Sequence, residues 1–374
     1  VANRPQLLRW NVTVGGRLLR IGSLLQRAKV DNAVAVTRAG LADATDDFTL
    51  ASWIREEAEK RGHVLPLDVV ARMIRIARKP SKPKPADGRL AVIACHYNPA
   101  GWKNSTENYL RFLHEMRWWR LPLFTAEVAY DGQAFPTPDA WLHIRATDAH
   151  RMWQKERLLN LLVESLPASY TRVAWIDADV IFLDRHWPER LDELLGHHAV
   201  VQLWNRWHCP DAMGAVCEVL TSVGPGGSRY DADKPISPGG AWAARRSVFP
   251  LYDRHIVGSG DAMALEAWMG LEKSQCLRRM NPAMAADFSA WAHQAHRKVQ
   301  GRIGALPGDT VHMYHGTRAN RQYVDRWGPV IDAGFDPVAH VKVDTNGLLA
   351  WTDAAPPQLV DWVRSYFHTR QEDQ

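Results

Sequence analysis

From residue 90 to residue 204 the chain alternates short apolar runs with amphipathic ones, and this rhythm constrains the fold more than any other feature. "RLAVIACHY" reads as a buried strand, and "STENYLRFLHEMRWW" as a helix with Tyr109, Phe112, Leu113 and Met116 on one face. "LPLFTAEVAY" predicts a strand and "MWQKERLLNLLVESLP" a helix ended by Pro167. "TRVAWIDADVIFL" then predicts a strand, "WPERLDELLG" a helix closed by Gly196, and "HAVVQLW" a further strand. Strands alternating with helices predict an α/β fold whose mostly parallel central sheet is covered on both faces. Ligands are then expected at the carboxyl ends of the strands.

A chain of 374 residues exceeds what one core usually fills, ~250 to 300 residues, so a boundary is expected. "RKPSKPKPADGR" supplies it, because alternating Lys and Pro without apolar residues favours an extended, solvated linker. Upstream, "DDFTLASWIREEAEKRG" and "LPLDVVARMIRIARK" read as two helices, a pairing that more often packs than reads DNA. The predicted organisation is a basic helical N-terminal module (1–79), a linker (80–89), a main α/β domain (90–335) and a C-terminal extension packing on it (336–374). Residues 1–89 hold 17 Lys+Arg against 9 Asp+Glu, an excess of +8 where the whole chain carries +5. That excess suits a polyanionic partner such as DNA, and equally a solvated basic face.

Hydrophobic content of 46% and charged content of 23% are those of an ordinary globular protein. No run approaches the ~18 consecutive apolar residues of a membrane span, and "VANRPQLLRWNVTVGG" lacks the apolar core of a secretory signal. A cytoplasmic location is expected. Cys95, Cys209, Cys217 and Cys276 form no CxxC pair and read as small buried hydrophobes. Of the 17 tryptophans, those in "RWW" (117–119) and "WNRW" (204–207) are candidate stacking platforms, with Trp204 preferred because it follows a strand on the ligand side.

The tripeptide Asp-Ala-Asp occurs twice. In "WIDADVIF" it follows the apolar run Val173 to Ile176, where a central strand emerges from the sheet. In extended chain residues i and i+2 share a face, so Asp177 and Asp179 are expected to aim both carboxylates at one point. Paired hard oxygen donors suit Mn²⁺ or Mg²⁺. In "RYDADKPI", Asp231 and Asp233 lie among Gly and Pro with no strand before them, and a surface loop is expected. No GxxxxGK[ST] loop is present and no GxGxxG follows the first strand, which leaves a metal as the means of holding a diphosphate.

These segments together resemble GT-A type glycosyltransferases, metal-dependent enzymes that use nucleotide-diphosphate sugars, over about residues 90 to 330. "LAVIACHYNPAG" is similar to the strand that opens their nucleotide-binding half, which implies donor contacts from His96, Tyr97 and Asn98. The resemblance places Lys155 of "WQKERLLNLL" near a phosphate or ribose, although a solvated helix residue is the plainer reading. "WIDADVIF" looks like the family's D-x-D, with Asp177 toward the ribose and metal and Asp179 on the metal. "PGGAWAARRSVF" and "GSGDAMALEAW" resemble the Gly-Gly and acidic segments, which implies donor contacts from Gly239 and Gly240 and a base role for Asp261. The acidic segment reads Gly-Asp-Ala and not Gly-Glu-Asp, and Asp261 could equally be a helix N-cap. "VHMYHGTRANRQYVDR" resembles the C-terminal His segment: His315, beside Gly316, matches the metal ligand better than His312, and Arg318 and Arg321 fall near the donor phosphates. "YNPAG" and "HGTRANRQY" are also similar to phage and bacterial glycosyltransferases associated with modified DNA bases.

The implied activity is metal-dependent transfer of a sugar from a nucleotide-diphosphate sugar to an acceptor hydroxyl, with Mn²⁺ or Mg²⁺ as cofactor. A hydroxylated base in DNA, held through residues 1–89, is one acceptor; a cell-surface glycan or a lipid-linked acceptor is the alternative. Competing classes are a nucleotidyltransferase, for which "ACHYNPAG" is a poor Gly-rich loop, and a non-enzymatic DNA-binding protein.

Overall fold

The computed structural model describes residues 89–184, 186–231 and 235–374, together with Asn11–Val14, Arg17–Arg20, Arg55, Glu59, Leu67 and Val70. The expected linker and most of the N-terminal module lie outside the described residues. Within that segment β1 (Asn11–Val14) and β2 (Arg17–Arg20) form an antiparallel hairpin, where the sequence reading expected only helices. Leu67 and Val70, one helical turn apart, are helical and buried in the same apolar cluster as Leu90, Val92 and Phe112.

Beyond residue 89 the predicted alternation is present. It runs β3 (Leu90–Tyr97), α1 (Lys103–Arg117), β4 (Leu123–Tyr130), β5 (Leu142–Ala146), α2 (Lys155–Ser165), β6 (Arg172–Ile176), β7 (Val180–Phe182), α3 (Trp187–His197) and β8 (Val200–Gln202). There follow β9 (Arg206–Pro210), β10 (Val216–Thr221), β11 (Ala241–Arg245), α4 (Gly260–Met269), α5 (Gln275–Arg279), α6 (Pro282–Val299), β12 (Ile303–Ala305) and β13 (Asp309–His312). The chain ends with α7 (Gly328–Asp332), the hairpin β14 (Val341–Val343) and β15 (Leu349–Trp351), and α8 (Pro357–Thr369).

The central sheet has seven strands in the order β12-β8-β11-β6-β3-β4-β5. It is parallel throughout except at β11, which runs antiparallel to both β6 and β8. Successive side chains of β3 alternate between its faces: Ala91 and Ile93 enter one core, while Leu90, Val92 and Ala94 enter the other. Leu158 and Leu162 of α2 and Phe288 of α6 cover the first face, and Tyr109 and Phe112 of α1 and Leu191 of α3 cover the second. Burial on both faces explains why these strands read as continuous apolar runs. The fold is thus the mixed α/β class that the sequence implied.

Two local expectations change. α3 continues through Gly196 to His197, because Gly196 keeps helical backbone and the closing bond runs from His198 N–H to Leu194 O. The predicted strand 171–183 is two strands, with residues 177–179 as the turn between them. β6 belongs to the central sheet, whereas β7 joins a second, four-stranded sheet in the order β10-β9-β13-β7. The Asp-Ala-Asp turn therefore carries the chain from one sheet to the other. Asp231 lies in a loop as expected, and Asp233 is outside the described residues. Among the described residues no helix is long and apolar enough to cross a membrane.

Candidate functional site

Register brings the site together. In the second sheet β13 pairs antiparallel with β7 so that His312 faces Val180, and Met313 N–H donates to Asp179 O at 2.8 Å. His312 is therefore beside Asp179, and His315 follows one turn of chain later. His315 Nε2 lies 2.9 Å and His312 Nε2 3.4 Å from Asp179 Oδ2. One ligand atom from each of the three residues falls within 4.8 Å of the others. Trp207 packs its ring 4.4 Å from that of His312 and holds the imidazole in place.

The donor set fits a divalent cation. Asp179 Oδ1 is buried and has no hydrogen-bond partner, an expensive state for a carboxylate oxygen unless something else approaches it. Burial works to raise the Asp179 carboxyl, but the two imidazoles facing it outweigh burial and hold it well below the usual carboxylate range. Burial, helped by the charge of Arg321, lowers His315 well below the usual imidazole range. An ionised carboxylate beside a neutral imidazole is the protonation state that metal ligation needs.

Asp177 takes a different direction from the one expected. The chain turns at residues 178–179, so the same-face rule of an extended strand fails across the pair, and Asp177 Oδ1 meets Lys155 Nζ at 2.6 Å and not the histidine cluster. Lys155 is not a solvated helix residue; it is buried at the start of α2 and bridges Asp177 to Asp261, whose Oδ2 is 2.8 Å away. Burial opposes the Lys155 charge, and Asp177 followed by Asp261 overcomes it and raises the ammonium well above its usual range. Burial, helped by neighbouring carboxylates, pushes Asp177 up to about 7 and raises Asp261 as well, although the shared Lys155 ammonium opposes both.

Asp261 occupies the second position of α4, not the cap, which is Ser259. Ser259 has φ +82°, a left-handed conformation that costs a non-glycine residue free energy, and Arg326 and Trp327 both donate to its Oγ, at 2.7 and 3.1 Å. Gly260 is obligatory: a Cβ there would stand 2.0 Å from Glu156 Oε1 and 2.7 Å from His255 Nε2. Glu156 and His255 form a buried pair 3.0 Å apart beneath the start of α4. Sequence reasoning missed this pair, since neither residue stands in a recognisable motif.

Gly240 O accepts from Asp177 N–H at 2.7 Å, which extends the β6–β11 pairing one step to the Asp-Ala-Asp turn. Gly240 has φ +94°, and a Cβ on it would come within 3.1 Å of Trp204 Nε1 and 3.2 Å of the Trp207 ring. Gly239 O accepts from Trp204 Nε1 at 3.2 Å. Trp204 is fully buried and braces this loop, so Trp207, which lines the cavity, replaces it as the candidate platform.

Asp177, Asp179, Lys155, Asp261, His312 and His315 line one cavity of about 890 Å³, within the range of small-molecule sites. His96, Tyr97 and Asn98 also line it. His96 stacks on Tyr109 at 4.7 Å, and Tyr97 sets its edge against Trp153 at 5.8 Å. Asn98 is engaged within its own loop, accepting from Trp102 N–H at 2.9 Å and donating to Trp102 O at 2.6 Å. Arg321 is buried and donates to His315 O at 3.1 Å, whereas Arg318 sits at the rim in an ion pair with Glu218 at 2.6 Å. Of the cysteines, Cys276 is buried but Cys217 is exposed, against expectation.

No protein-family model matches the sequence, and no curated protein matches it. Solved structures match distantly. A variant of Drosophila β1,4-galactosyltransferase 7 in complex with manganese, UDP-Gal and xylobiose is 10% identical, with 68% of this chain and 86% of that one covered and a TM-score of 0.32. The catalytic domain of the same Drosophila enzyme with xylobiose is 12% identical, covering 68% and 85%, with a TM-score of 0.30. A Desulfovibrio desulfuricans G20 protein assigned as a nucleotide-diphospho-sugar transferase is 11% identical, covering 64% and 90%, with a TM-score of 0.27.

Proposed function

We propose that this chain transfers a sugar from a nucleotide-diphosphate sugar to an acceptor hydroxyl, with a divalent cation held by Asp179, His312 and His315. One observation carries the reading: a buried carboxylate oxygen without a partner, flanked by two imidazoles, on the wall of a cavity large enough for a nucleotide sugar. A cation bound there supplies neutralisation of the departing diphosphate. Arg321, fixed through the His315 carbonyl, adds a second positive charge on that side. Lys155, its ammonium held charged by the two carboxylates, holds Asp177 and Asp261 in place.

In an inverting transfer Asp261 takes the proton of the acceptor hydroxyl as its oxygen bonds to the sugar carbon and the diphosphate leaves with the old bond's electrons. Its raised carboxyl makes it a better proton acceptor than an ordinary aspartate. Calorimetry with UDP and other nucleoside diphosphates, with and without Mn²⁺, tests the reading. Metal-dependent binding is expected for at least one; binding of none, or binding indifferent to metal, overturns it.

The charge on residues 1–89 is compatible with DNA carrying a hydroxylated base as the acceptor, and a cell-surface glycan or lipid-linked acceptor is the alternative. Turnover on hydroxymethylated duplex but not on simple glycans supports that finer reading, and the reverse preference removes it.

A further inference from the structure

Arg326 is 4% exposed, lines the cavity, and has no carboxylate within ion-pair distance among the described residues. Its Nη1 donates to Tyr366 Oη at 2.9 Å and its Nη2 to Ser259 Oγ at 2.7 Å, both neutral groups. Its Nε is buried and donates to nothing. The Tyr323 ring, 5.1 Å from the guanidinium carbon, offers only a partial counter-charge. Of the other cations in the cavity wall, Lys155 is answered by Asp177 and Asp261, Arg318 by Glu218, Arg370 by Glu372 at 2.7 Å and Arg321 by the same Glu372 at 3.9 Å, while Arg279 is exposed to solvent. A buried guanidinium without a counter-ion is costly, and a fold that keeps one in a cavity wall gains that cost back when an anion binds.

The position of Arg326 identifies which part of the ligand carries the anion. Arg326 grips Ser259, two residues before Asp261, and through the Tyr366 hydroxyl, which donates to Arg321 O, it also reaches the Arg321 side; it thus stands between the base end and the Asp179–His312–His315 end, where the cation and Arg321 already answer a diphosphate. We infer that Arg326 recognises a carboxylate or phosphate carried on the sugar side of the reaction, on the transferred sugar or on the acceptor. A planar guanidinium matches either group better than a lysine would, because its donors form a fixed fork. This inference rests on the glycosyltransferase reading and narrows it to a transferred sugar or an acceptor that carries an anionic group.

Two calorimetric arms with Mn²⁺ present test it and distinguish the two sources. In the donor arm the protein is titrated with UDP, UDP-glucose and UDP-glucuronate. In the acceptor arm the UDP-saturated protein is titrated with methyl glucoside, methyl glucuronide and glucose 6-phosphate. A tenfold or greater preference for the anionic ligand is expected in one arm, lost in Arg326→Gln and partly kept in Arg326→Lys. Equal affinity for charged and neutral ligands in both arms of the wild-type protein overturns the inference without recourse to any variant. A preference that survives Arg326→Gln in a folded protein overturns it too. Absence of all nucleotide binding removes the glycosyltransferase reading itself, and this inference with it, whereas UDP binding without anion preference removes this inference alone.

Discussion

At the scale of single residues, the two oxygens of Asp179 stand in different states, one facing two imidazoles and the other buried with no partner. Asp179→Ala removes both, so Mn²⁺ binding followed by calorimetry is expected to fall at least a hundredfold while circular dichroism stays that of the wild type; wild-type affinity in the variant excludes this cluster as the metal site. His312→Ala and His315→Ala are each expected to weaken the metal, since both imidazoles face the same oxygen. His96 bears on stability instead. Burial lowers its imidazole from 6.5 to about 4, so the folded protein resists a proton that the unfolded chain accepts. That contribution is intact above about pH 6.5 and is lost progressively as the pH falls toward 4. Replacing His96 by Phe, which keeps the stacking on Tyr109, is expected to spare roughly 2 kcal/mol of the stability lost between pH 7 and pH 5. Urea midpoints at the two pH values measure it, and identical pH slopes for the two proteins would contradict it.

At the scale of elements, the site depends on two loops clamped from outside. The His315 loop is pressed by the C-terminal segment: Gly316 has φ +89°, and a Cβ there would stand 2.9 Å from Arg370 O and 3.1 Å from Gln371 O. That segment is itself tied down, with Asp373 accepting the N–H groups of Lys103 and Asn104 at 3.1 and 2.7 Å and Tyr314 donating to Gln374 O at 2.5 Å. Gly316→Ala should cost about 1–3 kcal/mol in strain and weaken Mn²⁺ binding by displacing His315. A variant that melts lower yet binds metal normally would show that the clamp serves stability only. α2 was legible from its apolar spacing, but the destination of Lys155 was not. Periodicity says which face of a helix is buried; it does not say that two aspartates wait at its first residue.

At the scale of the whole molecule, the cavity takes its walls from segments more than 270 residues apart in the chain, from Cys95 to Glu372. A ligand that fills it links those segments. Mn²⁺ and a nucleoside diphosphate at about a hundred times the dissociation constant should stabilise the folded state by roughly 2.7 kcal/mol. Thermal denaturation is expected to shift upward by several degrees in the wild-type protein and not in Asp179→Ala; a shift shared by both would place the ligand elsewhere.

The strand and helix rhythm from residue 90 onward, and with it the mixed α/β class, was settled by local sequence, because burial on both faces of a sheet leaves continuous apolar runs and helical faces leave a 3.6-residue period. The Asp-Ala-Asp turn was found the same way, by the apolar strand before it. Which partners its two carboxylates take was decided only in three dimensions. Asp179 meets His312 because of the register of β13 on β7, and Asp177 meets Lys155 because the chain turns at residues 178–179 as it changes sheets and separates the two carboxylates. Register and sheet exchange are contacts between distant segments, and no local pattern of residues encodes them.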